Sequence, residues 1–269
     1  MENEGMRANR RLWDEWAHVN ANSKMYAHDD FKRGRNSLNP LEMGEVGGVA
    51  GKRLLHLQCH FGQDSLSWAR LGATVTGMDF SPEAIQIAQQ TSAEMQLPAR
   101  FICCNLYDLP QQLDETFDVV FTSYGALTWL PDLPEWARIA ACYVKPGGLF
   151  YIAEFHPFAM VFDDEAEHVE QHYPYFNDGP IILPVRGSYA DRDAAVQQGL
   201  SYEWSYPLGE VITALIGAGL RIEFVHEFPF TIYQAYPWVE KHEDGYYYPK
   251  AGIPSLPLLF SIRAVKPEA

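Results

Sequence analysis

The chain has 269 residues, 47% of them hydrophobic and 14% aromatic, which suffices for one substantial core with a smaller appended unit. Lys and Arg number 20 against 35 Asp and Glu, a formal net charge of −15, and such a field repels phosphate backbones and anionic lipid headgroups, excluding neither small molecules nor proteins as partners. No apolar stretch approaches the ~18 residues of a membrane span, and MENEGMRANRRLWDEW carries charges where a signal peptide has an apolar run, so a cytoplasmic protein without nucleic-acid or membrane partners is expected. The four cysteines, Cys59, Cys103, Cys104 and Cys142, follow neither disulfide nor zinc spacing and read as buried thiols.

Residues 1–50 include RRLWDEWAHVNANSKMYAHDDF, whose Trp13, Trp16 and Tyr26 mark a helical segment that either packs on the domain or forms a lid over a site. Residues 51–156 then alternate. Arg53 to Leu57 is an apolar strand; DSLSWARLG sets Leu66, Ala69, Arg70 and Leu71 at helical spacing before Gly72 stops the helix; ATVTGMD is a second strand ending at Asp79. SPEAIQIAQQTSAEMQL predicts a helix with Ser81 as N-cap, Pro82 at its first position and Glu83 in its first turn, burying Ala84, Ile85 and Ala88. Strands RFICCN and FDVVFTSYG, helix LPEWARIAACYV, the turn KPGG and strand LFYIAEF follow. Apolar strands separated by helices indicate a parallel sheet covered on both faces, and right-handed crossovers make it doubly wound.

Residues 157–207 break this pattern, being rich in Pro, Tyr, Asp and Gly and too long for an ordinary loop; they read as a cap inserted over the site. From residue 208 to 269 the fold resumes with helix GEVITALIGAGL and strands RIEFVHEF and LPLLFSIRAVK, which have no helix between them and so pair antiparallel at the sheet edge.

The densest chemistry lies in KRLLHLQCHFGQDSLSWARLGATVTGMDFS, Lys52 to Ser81. A strand, a tight loop and a helix aim backbone N–H groups at the carboxyl end of the sheet, and Asp79, 21 residues after Gln58, stands where an acid accepts from two ribose hydroxyls. That layout fits any nucleoside cofactor. Where such loops carry three glycines, this one has Gln58, His60 and Gly62; a left-handed backbone at His60 is uncommon outside glycine, although His tolerates it better than most residues.

The whole set of segments resembles the class I S-adenosylmethionine-dependent methyltransferases, from about Arg53 to Phe155 and again from Gly209 to Lys266. LLHLQCHFG stands for the first strand and glycine loop, GMDFSPEAIQIA for the second strand and helix, CNLYDLP for the segment beside the adenine, FDVVFTSYGALTWLPDL for the fourth strand, and VKPGGLFYIAEF for the turn into the fifth. The resemblance implies an α/β fold with a doubly wound, mostly parallel, seven-stranded Rossmann-like sheet ending in an antiparallel edge pair. It also implies S-adenosylmethionine as cofactor, held by Gln58, Cys59, His60, Gly62, Asp79, Phe80, Asn105, Leu106 and Ser123. Three departures stand out: His56 replaces an acid near the methionine amine, Gln58 and His60 replace glycines, and Asn105 replaces an acid near the adenine amino group, where its side-chain oxygen still accepts. His56 reads as a buried structural histidine, and the site as a working pocket with unusual lining.

Strand ends offer substrate-handling groups. The candidates are His156 as a base with Tyr124 beside it, and Trp129 and Glu154 as substrate contacts, with aromatic walls suited to a sulfonium. His168 and His172 in EHVEQH are four apart and would share a helical face as metal ligands do, but Glu170 points elsewhere and no metal is expected. The expected activity is methyl transfer to a small molecule under the cap. A nicotinamide oxidoreductase and a non-catalytic cofactor-binding module are the rival readings; the acceptor atom and the oligomeric state are not legible.

Overall fold

The apolar runs lie side by side in the computed structural model, which describes residues 3–268. In chain order the strands are β1 (Arg53–Leu57), β2 (Thr74–Asp79), β3 (Arg100–Cys103), β4 (Phe117–Thr122), β5 (Val144–Phe155), the ribbon β6 (Ile181–Pro184) with β7 (Leu200–Glu203), β8 (Arg221–Phe228), a second ribbon β9 (Val239–Lys241) with β10 (Tyr247–Pro249), and β11 (Leu259–Val265). The main sheet has seven strands in the order β3-β2-β1-β4-β5-β11-β8. Its first five are mutually parallel, while β11 runs antiparallel to both neighbours, Ile262 lying opposite Ile152 on β5 and Val225 on β8.

The helices are α1 (Glu4–Ala21), α2 (His28–Lys32), α3 (Pro40–Val46), α4 (Gln63–Arg70), α5 (Pro82–Glu94), α6 (Leu133–Tyr143) and α7 (Leu208–Gly217). Ser81 caps α5 as its sequence predicts, its Oγ accepting from the Ala84 N–H at 3.1 Å. Successive strand residues face opposite layers. Val120, Phe150 and Ile262 meet Trp136 and Leu215 on one side, and Val119, Phe121 and Tyr151 meet Trp68 and Val46 on the other.

Three expectations need correction. KPGG does not precede the fifth strand but lies within it, because β5 begins at Val144 and absorbs the turn through a register shift opposite Phe117 and Val119. Cys103 and Cys142 are exposed, since the end of β3 and of α6 leaves each at the rim; only Cys59 and Cys104 are buried. EHVEQH is not helical, so His168 and His172 share no face; they lie near Glu170 and Asp163, and no metal-binding group occurs among the described residues.

The segment 157–207 does not pack on its own. Ala159, Val161 and Phe162 pack in a single cluster with Tyr236, Trp238, Val239 and Leu258 from the connection between β8 and β11. Helix α1 packs against both α5 and β7. No described helix is long and apolar enough to cross a membrane.

Candidate functional site

The loop after β1 carries the backbone that the missing glycines would have supplied. Gln58 and His60 adopt φ of 56° and 52°, and Gly62 follows at 79°. Non-glycine residues in this region cost on the order of 1–3 kcal/mol each, so surrounding contacts must hold them. The Gln58 side chain donates to the Ala126 carbonyl at 2.8 Å, and the His60 N–H donates to Asp79 Oδ2 at 2.8 Å. The His60 ring packs against Phe61, Trp13 and Tyr26 with centroids 4.3, 5.0 and 5.5 Å away. Only at Gly62 is a side chain excluded by space as well, since a Cβ there would sit 2.9 Å from Ala88 Cβ and the Phe101 ring.

Asp79 closes β2 beneath this loop. Its Oδ1 accepts from the Ser81 N–H at 3.0 Å and its Oδ2 from His60, which leaves each oxygen one further lone pair. Burial pushes the carboxyl up to about 6, against the pull of these N–H donors. Phe80, Cys59 and Leu106 line the same wall. Asn105 spends its Oδ1 on the Tyr107 N–H at 3.0 Å and sets its Nδ2 3.8 Å from Met6 Sδ on α1. Gln58 Oε1, His60 Nε2 and Trp13 Nε1 are buried without a hydrogen-bond partner, and all three residues border the cleft.

Toward β4 the wall becomes a polar chain. His56 is 1% exposed, with Nδ1 2.8 Å from Ser65 Oγ and Nε2 3.1 Å from Ser123 Oγ; burial lowers it to about 3, so it is neutral. Asp64, in the first turn of α4, borders the cleft, and burial raises its carboxyl against the pull of the Ser37 and Ser123 hydroxyls and the Arg35 charge. The Tyr124 hydroxyl donates to Glu42 Oε2 at 2.7 Å, and burial, then the Asp64 charge, raise Glu42 to about 7.

Beyond the loop the cleft opens to about 1440 Å³. Trp129 meets Trp13 and Trp16 edge-on at 5.2 and 5.9 Å, and Trp16 meets Tyr189 of the cap at 5.6 Å. Tyr26 and Tyr189 share a hydrogen bond of 2.5 Å between their hydroxyls, while Tyr233 stands 6.3 Å from the Tyr189 ring. Burial raises all three phenols, so each is neutral.

The expected residues therefore divide. Gln58, Cys59, His60, Gly62, Asp79, Phe80, Asn105, Leu106, Ser123, Tyr124 and Trp129 all border the cleft. His156 does not: its Nε2 donates to Glu227 Oε1 at 2.9 Å and its Nδ1 accepts from the Phe158 N–H at 3.0 Å, which leaves no nitrogen for a substrate. Glu154 also turns away, accepting from the N–H groups of Gly125, Ala126, Leu127 and Phe155 at 2.5–3.1 Å and so fixing the loop after β4. Strand alternation explains both, because Glu154 and His156 share the face of Ile152, whereas Phe155 between them borders the cleft. Sequence reasoning did not single out Asp64, Ser37, Tyr189 or Tyr233. Asp64 reads as an ordinary first-turn acid, and the others lie in segments without periodicity.

Residues 55–152 match the family model for a methyltransferase domain. A ubiquinone biosynthesis O-methyltransferase of Chromobacterium violaceum is 30% identical over 133 residues, which are 48% of this chain and 57% of that protein. The chain thus spans about half the length of the curated relatives it matches. An S-adenosylmethionine-dependent methyltransferase from Mesorhizobium loti superposes with a TM-score of 0.59 at 22% identity, over 87% of this chain and 99% of that one. One from Clostridium acetobutylicum does so with a TM-score of 0.58 at 12% identity, over 96% and 100%.

Proposed function

We propose that the protein, whose residues 55–152 match a methyltransferase domain, is a class I S-adenosylmethionine-dependent methyltransferase that binds S-adenosylmethionine in this cleft and methylates a small molecule held beneath the cap. The observation that carries the reading is Asp79, a carboxylate pinned by two backbone N–H groups with a lone pair left on each oxygen, beside a loop whose residues 58, 60 and 62 all have a left-handed backbone. Two vicinal ribose hydroxyls are the ligand chemistry that such an acceptor fits. Buried Gln58 Oε1, His60 Nε2 and Trp13 Nε1 supply the hydrogen-bonding capacity that a polar ligand there would satisfy.

When bound, the cofactor supplies a sulfonium methyl group as electrophile. The residues of the chain do the rest by placement. Phe80, Leu106 and Met6 offer apolar surface to a base, Asp79 fixes the sugar, and Trp13 with Trp129 closes water out of the passage toward the cap. Trp16, Tyr26, Tyr189 and Tyr233 offer the acceptor aromatic faces, the three tyrosines as neutral phenols. His156 has no part in this arrangement, and proton removal, where the acceptor needs it, falls to a group in the cleft or to solvent.

A crystal structure with S-adenosylhomocysteine tests the proposal. The expected result is the ribose on Asp79 and open space beyond the sulfur bounded by Trp129 and Tyr189. A nucleoside seated away from Asp79 would contradict it, and side chains filling the space beyond the sulfur would favour the non-catalytic module.

A further inference from the structure

The charged residues of the cleft are sorted by depth. Its lysines and arginines, Lys24, Arg35, Arg186, Arg192 and Lys241, are all exposed. The acids Asp64, Asp79, Asp163 and Glu203 are instead buried or half-buried. Burial holds the wall imidazoles His56 and His60 neutral. Positive charge is thus confined to the rim, and the net charge of −15 adds a field that draws cations inward.

Glu203 enters this space from the ribbon of β6 and β7. It stands opposite Ile181, as Ser201 stands opposite Leu183, and all four residues border the cleft. The alternate residues face away, Ile182 being 52% and Leu200 44% exposed. The Trp204 N–H donates to the Thr128 carbonyl at 2.8 Å, which sets the end of β7 against the loop after β4, beside Trp129. Glu203 Oε1 accepts from Ser201 Oγ at 2.8 Å, while Oε2 has no hydrogen-bond partner and the carboxylate no ion-pair partner among the described residues. Burial raises this carboxyl against the pull of the Ser201 hydroxyl. Asp79 and Asp163 differ: the first is committed to two backbone N–H groups, and the second has His172 at 4.0 Å.

Resting on the cofactor reading above, we infer that Glu203 is the binding carboxylate for the methyl acceptor and that the acceptor carries an amine, held there as its ammonium cation. Ser201 fixes Oε1 and leaves Oε2 for an N–H donor, an arrangement suited to a charge-assisted hydrogen bond. A cation offsets what burial costs the carboxylate; a neutral hydroxyl does so less, and an anion adds to the cost. Trp16, Trp129, Tyr189 and Tyr233 line the same cleft with electron-rich rings, whose faces attract cations. Thr231, 1% exposed and bordering the cleft, has its Oγ1 without a partner and offers the acceptor a second polar contact.

The test titrates the whole chain, in the presence of S-adenosylhomocysteine, with three probes of similar shape: 2-phenylethylamine, a cation; 2-phenylethanol, neutral; and 3-phenylpropanoate, an anion. Calorimetry should show the amine binding about tenfold or more tightly than either of the others. Glu203→Gln, which keeps the shape of the side chain and removes its charge, should erase that preference and bind 2-phenylethanol within about twofold of wild type. Ser201→Ala, which keeps the charge and loses its orientation, should weaken the amine severalfold and serves as the second variant. Equal wild-type affinities for amine and alcohol would overturn the assignment, as would a preference that survives in Glu203→Gln or an amine that does not bind at millimolar concentration. Binding of S-adenosylhomocysteine in any of those cases leaves the cofactor reading standing. An amine preference lost in Glu203→Gln, in a protein that does not bind S-adenosylhomocysteine, would support the amine site and overturn the cofactor reading.

Discussion

Gln58 and His60 show what replaces glycine when the backbone shape must stay. Each accepts the left-handed conformation, and each side chain then makes a contact that glycine could not: Gln58 ties the loop after β1 to the loop after β4, and His60 fills space between Phe61, Trp13 and Tyr26. Those contacts are worth roughly 0.5–1.5 kcal/mol each, similar to the strain they offset. Asp79 carries a testable pH dependence. In the folded chain its carboxyl sits at about 6 instead of the ordinary 3.8, chiefly through burial. Ribose hydroxyls donating to it select the ionised form, so affinity for methylthioadenosine should be full above about pH 7. It should fall as pH drops through about 6, approaching tenfold per unit below that. On fold stability the same shift has the opposite sign: a proton held more tightly in the folded chain stabilises below the unfolded value, and that contribution, on the order of 3 kcal/mol, is lost as pH rises through about 6. Titrations across this range should show the step in wild type and its absence in Asp79→Asn; a flat wild-type profile would contradict the ribose assignment.

Helix α1 illustrates how elements far apart in the chain define the site together. Trp16 Nε1 donates to the Gly187 carbonyl at 2.8 Å, Asn9 exchanges two hydrogen bonds with the backbone of Tyr202, and Glu15 accepts from the N–H groups of Gln197 and Gln198. Helix α1 and residues 187–202 are therefore tied together by these hydrogen bonds. If α1 closes over the cofactor, deleting residues 1–28 removes Trp13 from the wall and frees the cap from these bonds. The truncated protein should keep the circular-dichroism signature of the sheet domain and bind S-adenosylhomocysteine about tenfold more weakly or worse, the equivalent of losing one or two aromatic contacts. Unchanged affinity would remove the closing role. Sheet elements and helix caps were legible because their signals are local: Ser81, Pro82 and Glu83 announce α5 within three residues. The coupling of Trp16 to Gly187 spans 171 residues of aperiodic chain and leaves no such trace. His156 was misplaced for a related reason. Its position at a strand end was legible, but the side it faces depends on the alternation set by Phe155, which only the packed sheet reveals.

At the scale of the molecule, the site lies where a doubly wound sheet reverses direction. In the order β3-β2-β1-β4-β5 the chain turns from building outward through β3 to building the other way from β1 through β4, and ligands in such sheets bind beyond the strand ends at that switch. The span that matches the methyltransferase domain, 55–152, holds these strands and the candidate nucleoside wall. Helix α1, residues 157–207 and the connection between β8 and β11 lie outside it and supply most of the aromatic chamber, so on the proposed function the choice of acceptor would rest with segments that the domain match does not describe. On the proposed function this cleft takes a sulfur nucleoside through Asp79 and not a nicotinamide dinucleotide. Calorimetry of the whole chain with S-adenosylhomocysteine and with NAD separates the two ligands. One S-adenosylhomocysteine per chain should bind, no heat should appear with NAD, and Asp79→Ala should weaken the sulfur ligand by about 1.5–3 kcal/mol. Tight NAD binding with no binding of S-adenosylhomocysteine or S-adenosylmethionine would instead make this a dinucleotide site.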